Sequence, residues 1–241
     1  MDVNAIAGLG LQNDVRQMEN ISQNLANAVT PGYKKQLALG TSFQAQLTQA
    51  ALAQPLALTL PSLQGSAIDA SAGRLRATGD SHDVAVEGSA FLELATPDGP
   101  AYTRQGRLRV DVNGQLVGDQ GFPVVGSAGP VMLSNSPFTI DGNGDVQQDG
   151  RVVGRLKRVR FEQAGQLQPL GTGMYAVGGA RIDDPNSSDP LKLGFQEGSN
   201  VNTATEMVRM SMTVRHFEAL AHLVQGYDDN MEKTIRKLGD F

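Results

Sequence analysis

Oxygen-bearing side chains alternate along residues 141–149, as Asp141, Asn143, Asp145, Gln147 and Asp149. That spacing is the first requirement of a calcium loop. An EF-hand loop also needs glycine at its sixth position and a bidentate glutamate at its twelfth. Val146 and Val152 stand there, so consecutive β-turns are the expected structure. The histidines are His82, His216 and His222. His216 and His222 are six apart on a helical pattern, so they point to different faces and cannot share a metal ion. No serine sits in a nucleophile-elbow pattern. Gly171-Thr172-Gly173 lacks the third glycine and the strand-to-helix context of a nucleotide loop. There is no cysteine, which removes disulfides, thiolate nucleophiles and thiolate metal sites. The acids and bases are scattered singly. The sequence therefore predicts no enzyme, no metal and no cofactor.

Composition narrows the class further. The 241 residues carry a net charge of -5, with 40% hydrophobic and 19% charged residues. That is enough apolar content for a core. No basic block exists, so nucleic-acid binding is disfavoured. Residues 36–68 hold no charge, but Gly40, Pro55, Pro61, Gly65 and several glutamines interrupt them. No apolar run of about 18 residues results, and no membrane insertion is expected. The opening Met1-Asp2-Val3-Asn4 lacks a basic n-region, so no cleavable signal peptide is expected.

Two helical patterns flank the chain. Over residues 4–29, Leu11, Val15, Met18, Ile21, Leu25 and Ala28 recur at steps of three and four, one apolar stripe. Thr30-Pro31-Gly32 stops it, because proline cannot donate a hydrogen bond and forces its predecessor toward extended geometry. Asn13, Asn20 and Asn27 lie seven apart, with Asn24 on the same side. Several asparagines on one helical face cost stability, and amides at helix contacts can fix register. At the other end, Thr203 and Glu206 have capping-box spacing. A heptad seam follows: Met207, Met210, Val214, Phe217, Ala221, Val224, Asp228, Met231, Ile235 and Leu238. Only Asp228 breaks it. A helix of that length reaches roughly 50 Å, and its seam predicts a coiled-coil-like helix.

Between them, residues 73–195 read as short strands and turns. Leu108, Val110 and Val112 alternate with Arg107, Arg109 and Asp111, and Asn113-Gly114 is a hairpin signal. Val159 and Phe161 alternate with Arg158 and Arg160 in a second candidate strand. Residues 33–72 are weaker, with an extended alternation Leu56, Leu58, Leu60 and a short helix at 43–52. The expected fold is α+β: paired N- and C-terminal coiled-coil-like helices plus an inserted antiparallel β-rich domain. The expected division is an N-terminal assembly helix (1–33), an extended linker (34–72), a β-rich middle domain (73–196) and a C-terminal assembly helix (197–241).

The run Asn24-Leu25-Ala26-Asn27-Ala28-Val29-Thr30-Pro31-Gly32-Tyr33-Lys34 resembles the N-terminal signature of the axial rod and hook proteins of the bacterial flagellum. Glu197-Gly198-Ser199-Asn200-Val201-Asn202, continuing into Glu206-Met207-Val208, resembles their C-terminal signature. Ala77-Thr78-Gly79, Asp83-Val84-Ala85-Val86, Tyr102-Thr103-Arg104-Gln105-Gly106 and Gly114-Gln115-Leu116-Val117 are similar to motifs of the family's first β domain. Ala90 stands where the family usually has glycine, and Leu92 where a second aromatic is common. Length and Arg215-His216-Phe217-Glu218 resemble the proximal more than the distal rod subunit.

The resemblance implies a structural subunit that polymerises through its terminal helices into the axial drive shaft. It implies the proximal and distal rod subunits and further copies of the chain as partners. It also implies export through the flagellar type III apparatus and a place in the periplasmic part of the basal body. The expected assembly interface comprises Asn13, Asn20, Asn24, Leu25, Asn27, Thr30, Gly32, Asn200, Val201, Asn202, Met207, Met210, Val214, Phe217, Val224, Asp228 and Met231. The alternatives are a distal rod or hook-type subunit and, in another class, an adhesin-like β-domain binding module on a coiled-coil stalk. The adhesin requires a secretion signal and one continuous stalk.

Overall fold

A computed structural model describes residues 3–38, 66–134 and 136–239. The expected helix at 43–52 and the alternation Leu56, Leu58, Leu60 fall outside the described residues, as does the side chain of Leu238. The chain divides into two compact units. One is built on the two terminal helices, and the other on residues 26–37 and 65–202.

The N-terminal helix spans Val3–Ala26 and the C-terminal helix Thr203–Gly239. Among the described residues they are the only α-helices, accompanied by one 3₁₀ turn at Ala164–Gln166. The α+β class stands, but the expected coiled-coil pair does not form. On the C-terminal helix the less exposed positions are Glu206, Met210, Thr213, Phe217, Leu220, Ala221 and Val224. That face keeps Met210, Phe217, Ala221 and Val224 of the apolar seam but leaves Met207 and Val214 outside. Met207 is 59% exposed, Met231 48% and Ile235 64%, whereas Glu206 and Thr213 are buried. From Gln225 to Arg236 every position is exposed. The reason is chemical. The facing helix presents Asn24 and Asp14, both buried, and these draw Glu206 and His216 toward them, while Met207 and Val214 stay outside. Asn24 Nδ2 lies 3.5 Å from Glu206 Oε2, and His216 Nδ1 2.7 Å from Asp14 Oδ2.

The β unit centres on a six-stranded antiparallel sheet. Its order is Gln168–Gly171, Met174–Ala176, Gly99–Thr103, Phe91–Thr96, Arg158–Phe161 and Ile182–Asp184. Successive side chains on a strand leave opposite faces, and both faces here are covered. Leu92, Leu94 and Ala101 point into a cluster with Val84, Leu116, Val124, Val146 and Leu156. Phe91, Tyr102, Val159, Phe161, Leu167 and Tyr175 form the other. In that second cluster the rings meet edge to face, Tyr102 and Phe161 at 4.8 Å and 83°, the arrangement their quadrupoles favour.

The turns are held by aspartates. Asp111 Oδ1 accepts the N–H groups of Asn113 and Gln115, and Asp141 Oδ1 those of Asn143 and Asp145. The same Asx turn is thus built twice, and the alternating oxygens of residues 141–149 belong to it and to the hairpin that follows. Two strand readings need correction. The strand expected over residues 107–112 is only Arg109–Val110. Val112 is wholly exposed, because Asp111 has already opened its turn. Arg158 does not face solvent as its alternation suggests. It is 5% exposed and donates to the carbonyls of Asn143 and Asp189.

Gly106 meets the carbonyl of Val84 so closely that a Cβ would lie 1.5 Å from its oxygen. Gly106→Ala is therefore expected to cost about 2–3 kcal/mol, read as a lower urea midpoint. Acid sensitivity follows from the carboxylates. The Ser71 hydroxyl holds Asp69 below its ordinary pKa, the Gln115 N–H does so for Asp111, and the Arg155 guanidinium for Asp145. A carboxyl lowered by folding stabilises the fold above its unfolded pKa, and that contribution is lost as pH falls through the folded value. The urea midpoint should be flat above about pH 5 and decline below it. Asp111→Asn and Asp145→Asn should flatten that acid limb.

Candidate functional site

The two segments that carry the signature motifs meet inside the β unit. Gly32, just past the proline stop, has φ +65, and a Cβ there would lie 2.5 Å from the Gln105 nitrogen. Glycine alone permits both the dihedral and the approach. Its N–H donates to the Glu197 carbonyl at 2.7 Å. Two residues on, the Lys34 N–H donates to the Tyr175 hydroxyl at 2.6 Å. Lys35 N–H reaches Asn200 Oδ1 at 2.7 Å, and Asn200 Nδ2 donates to the carbonyls of Asp69 and Ser71 at 2.8 and 3.1 Å.

At the centre lies a buried charge cluster. Lys34 Nζ meets Glu197 Oε1 at 2.6 Å, and Arg104 Nε meets Glu197 Oε2 at 2.7 Å. Their side chains are 1%, 3% and 1% exposed for Lys34, Arg104 and Glu197. The Gly73 N–H also donates to Glu197 Oε1 at 2.7 Å. Two cations against one anion leave an excess positive charge, and carbonyl oxygens answer it. Ser71 O accepts from Lys34, Gly88 O and Ala90 O from Arg104. Burial pushes the Lys34 pKa down, and Glu197 acts against that push. Burial also pushes the Tyr175 phenol up, so it stays a neutral hydroxyl. Every oxygen of Glu197 is engaged in holding the two segments, and that is the chemistry this arrangement performs.

The residues expected at an assembly interface are placed unevenly. Asn24 and Gly32 are buried. Asn20, Leu25, Asn27, Thr30, Asn200, Val201, Met210, Phe217 and Val224 are half-buried. Asn13, Asn202, Met207, Val214, Asp228 and Met231 are exposed. The structure brings Asn20 and Asn24 together at 3.2 Å, and Thr30 with Asn27 at 3.2 Å. Asn13 does not share the burial of Asn24, so the spacing of seven does not mark one buried face. Sequence reasoning passed over Lys34, Arg104 and Glu197 as site residues, and Asp14 and Glu206 as helix contacts. One signal was present. Lys34 and Glu197 are the charged residues that bound the two signature motifs, and Glu206 lies one residue before an apolar seam.

The cluster predicts an asymmetry. Glu197→Gln leaves two buried cations without their anion and should cost about 3–5 kcal/mol. Lys34→Met leaves Arg104 and Glu197 as a balanced pair and should cost clearly less. Urea unfolding of the two variants, followed by β-type circular dichroism, measures the difference.

Comparison with known proteins places this geometry. Residues 192–237 match the family described as Flagellar basal body rod FlgEFG protein C-terminal. Residues 85–154 match Flagellar hook protein FlgE/F/G D1 domain. The chain is 33% identical to the flagellar basal-body rod protein FlgG of Buchnera aphidicola subsp. Acyrthosiphon pisum, over 95% of this chain and 96% of that protein. It is 32% identical to the flagellar basal-body rod protein FlgF of Escherichia coli K12, over 90% of each. It is 29% identical to FlgF of Mesorhizobium japonicum, over 93% and 92%. Two signature segments locked to each other by Lys34 and Glu197, in a chain aligned end to end with these relatives, make one conclusion: the chain belongs to the flagellar basal-body rod proteins, structural subunits of the rod, and is FlgF-like.

Proposed function

We propose that this subunit builds the rod through its terminal helices, with the β unit providing lateral contacts. The observation that carries the reading is the surface of the C-terminal helix. Met207, Val208, Met212, Leu223, Tyr227, Met231 and Ile235 are 37–64% exposed along it. Apolar exposure on that scale marks a surface that meets other protein. A head-to-tail contact that does not close generates a helical filament. The assembly residues are the exposed members of the expected interface, Asn13, Asn202, Met207, Val214, Asp228 and Met231. The partners are other rod subunits and further copies of this chain. Delivery is through the flagellar type III apparatus, to the part of the basal body that crosses the periplasm.

The proximal position is supported by chain length and by Arg215-His216-Phe217-Glu218. A distal position is the second reading, favoured by the 33% identity to a FlgG protein. A map of the purified basal body with this subunit placed decides between them.

The test of helix-mediated assembly leaves the β unit untouched. Met231→Asp with Ile235→Asp puts charge on the exposed stretch, at positions that belong to neither buried cluster. The expected result is unchanged thermal melting of the purified protein, together with loss of swimming in a strain carrying only the variant. Wild-type swimming would exclude the exposed helix as the assembly surface.

A further inference from the structure

The residues at which the chain enters and leaves the β unit are bonded directly to each other, in a geometry suited to bearing load. Backbone bonds join Gly32 N–H to Glu197 O at 2.7 Å and Asn200 N–H to Tyr33 O at 3.4 Å. Side chains add Lys34 to Glu197 at 2.6 Å and Lys35 N–H to Asn200 Oδ1 at 2.7 Å. Residue number rises together on the two sides, from 32 with 197 to 35 with 200. The two segments therefore run side by side in the same direction. Tension arriving from the N-terminal helix pulls on the start of one segment. Tension from the C-terminal helix pulls on the end of the other. Two segments aligned in this sense and pulled from opposite ends are sheared, so their bonds share the load and do not open one after another. A hairpin pulled from its open end is unzipped instead.

We propose that this strap is a shear clamp: force that enters the β unit along the chain from the N-terminal helix and leaves it toward the C-terminal helix crosses from residues 32–35 to residues 197–200 and bypasses the six-stranded sheet. The Lys34–Glu197 pair is the strongest contact in the clamp by its chemistry, a hydrogen-bonded ion pair shielded from water. Arg104 and the Gly73 N–H fix the same carboxylate from the body of the unit, which anchors the clamp to the fold without placing the six-stranded sheet in the force path. The inference does not depend on the position of the subunit in a rod, because it concerns one chain held by its ends.

The experiment is optical-tweezers loading of the full chain along two axes. Handles on the two termini load the clamp. In this cysteine-free chain, handles on Asp98→Cys and Asn186→Cys, both on exposed turns, load the sheet and leave the clamp out of the path. Lys34→Met and Asn200→Ala are compared with the unsubstituted protein. The second variant leaves the Lys34–Glu197 and Arg104–Glu197 pairs in place. With terminal handles each variant should shorten the lifetime of the β unit at constant force by about tenfold or more. On the second axis the change should stay within about twofold. Unchanged lifetimes with terminal handles would overturn the proposal. Equal shortening on both axes would also overturn it, since that is the signature of ordinary destabilisation.

Discussion

The carboxylate of Glu197 is shared by two cations in a place water does not reach, and this constraint organises the rest of the β unit. A buried cation must be paired or it destabilises the fold. Lys34 and Arg104 come from opposite parts of the chain, one from the segment that enters the unit and one from the strand-to-loop junction after residue 103. Three further protons of the two cations go to the carbonyls of Ser71, Gly88 and Ala90. Residues 71–73 and the loop at 88–90 are thereby fixed by the same cluster. Asp189 grips that loop from the other side, its Oδ2 accepting the N–H groups of Ser89 and Ala90.

Such a cluster needs a rigid frame, because each charge-assisted hydrogen bond in it is short and depends on its geometry. The frame is a sheet whose two faces are both buried. Phe91 and Leu92 are neighbours in sequence and enter different cores. The same holds for Ala101 and Tyr102. A change of register by one residue would therefore exchange aromatic for aliphatic packing on both faces at once. Tyr175 links frame to cluster, with its ring in the aromatic core and its hydroxyl on the Lys34 N–H.

Local chemistry was legible in the sequence where one residue acts on its neighbours. The proline stop, the Asn-Gly turn and the alternation of Val159 and Phe161 each express a short-range rule. Legibility ended where a long-range partner decides. Arg158 reads as an outward residue of a half-buried strand, but carbonyls from residues 143 and 189 draw it in. The C-terminal seam reads as a coiled coil because heptad counting weighs only apolar content. It has no means to foresee that Asn24 and Asp14 would select Glu206 and His216. Val112 shows the same limit at short range, since alternation continues past the point where the Asp111 side chain ends the strand.

The helix unit buries polar residues beside its apolar ones. Buried positions include Asp14, Asn24, Glu206 and Thr213 together with Ala7 and Ile21, while Met207, Met212, Leu223, Tyr227, Met231 and Ile235 remain outside. Polar contacts between helices are specific in register but gain little over water. Apolar contacts gain more and specify less. A chain that places the specific contacts within itself and leaves the apolar area outward has separated the two tasks. The helices are aligned by amides and carboxylates in the single subunit, and the larger burial remains available to neighbours. That division suits a structural subunit of the rod, because the contacts within the chain are set before any neighbour arrives.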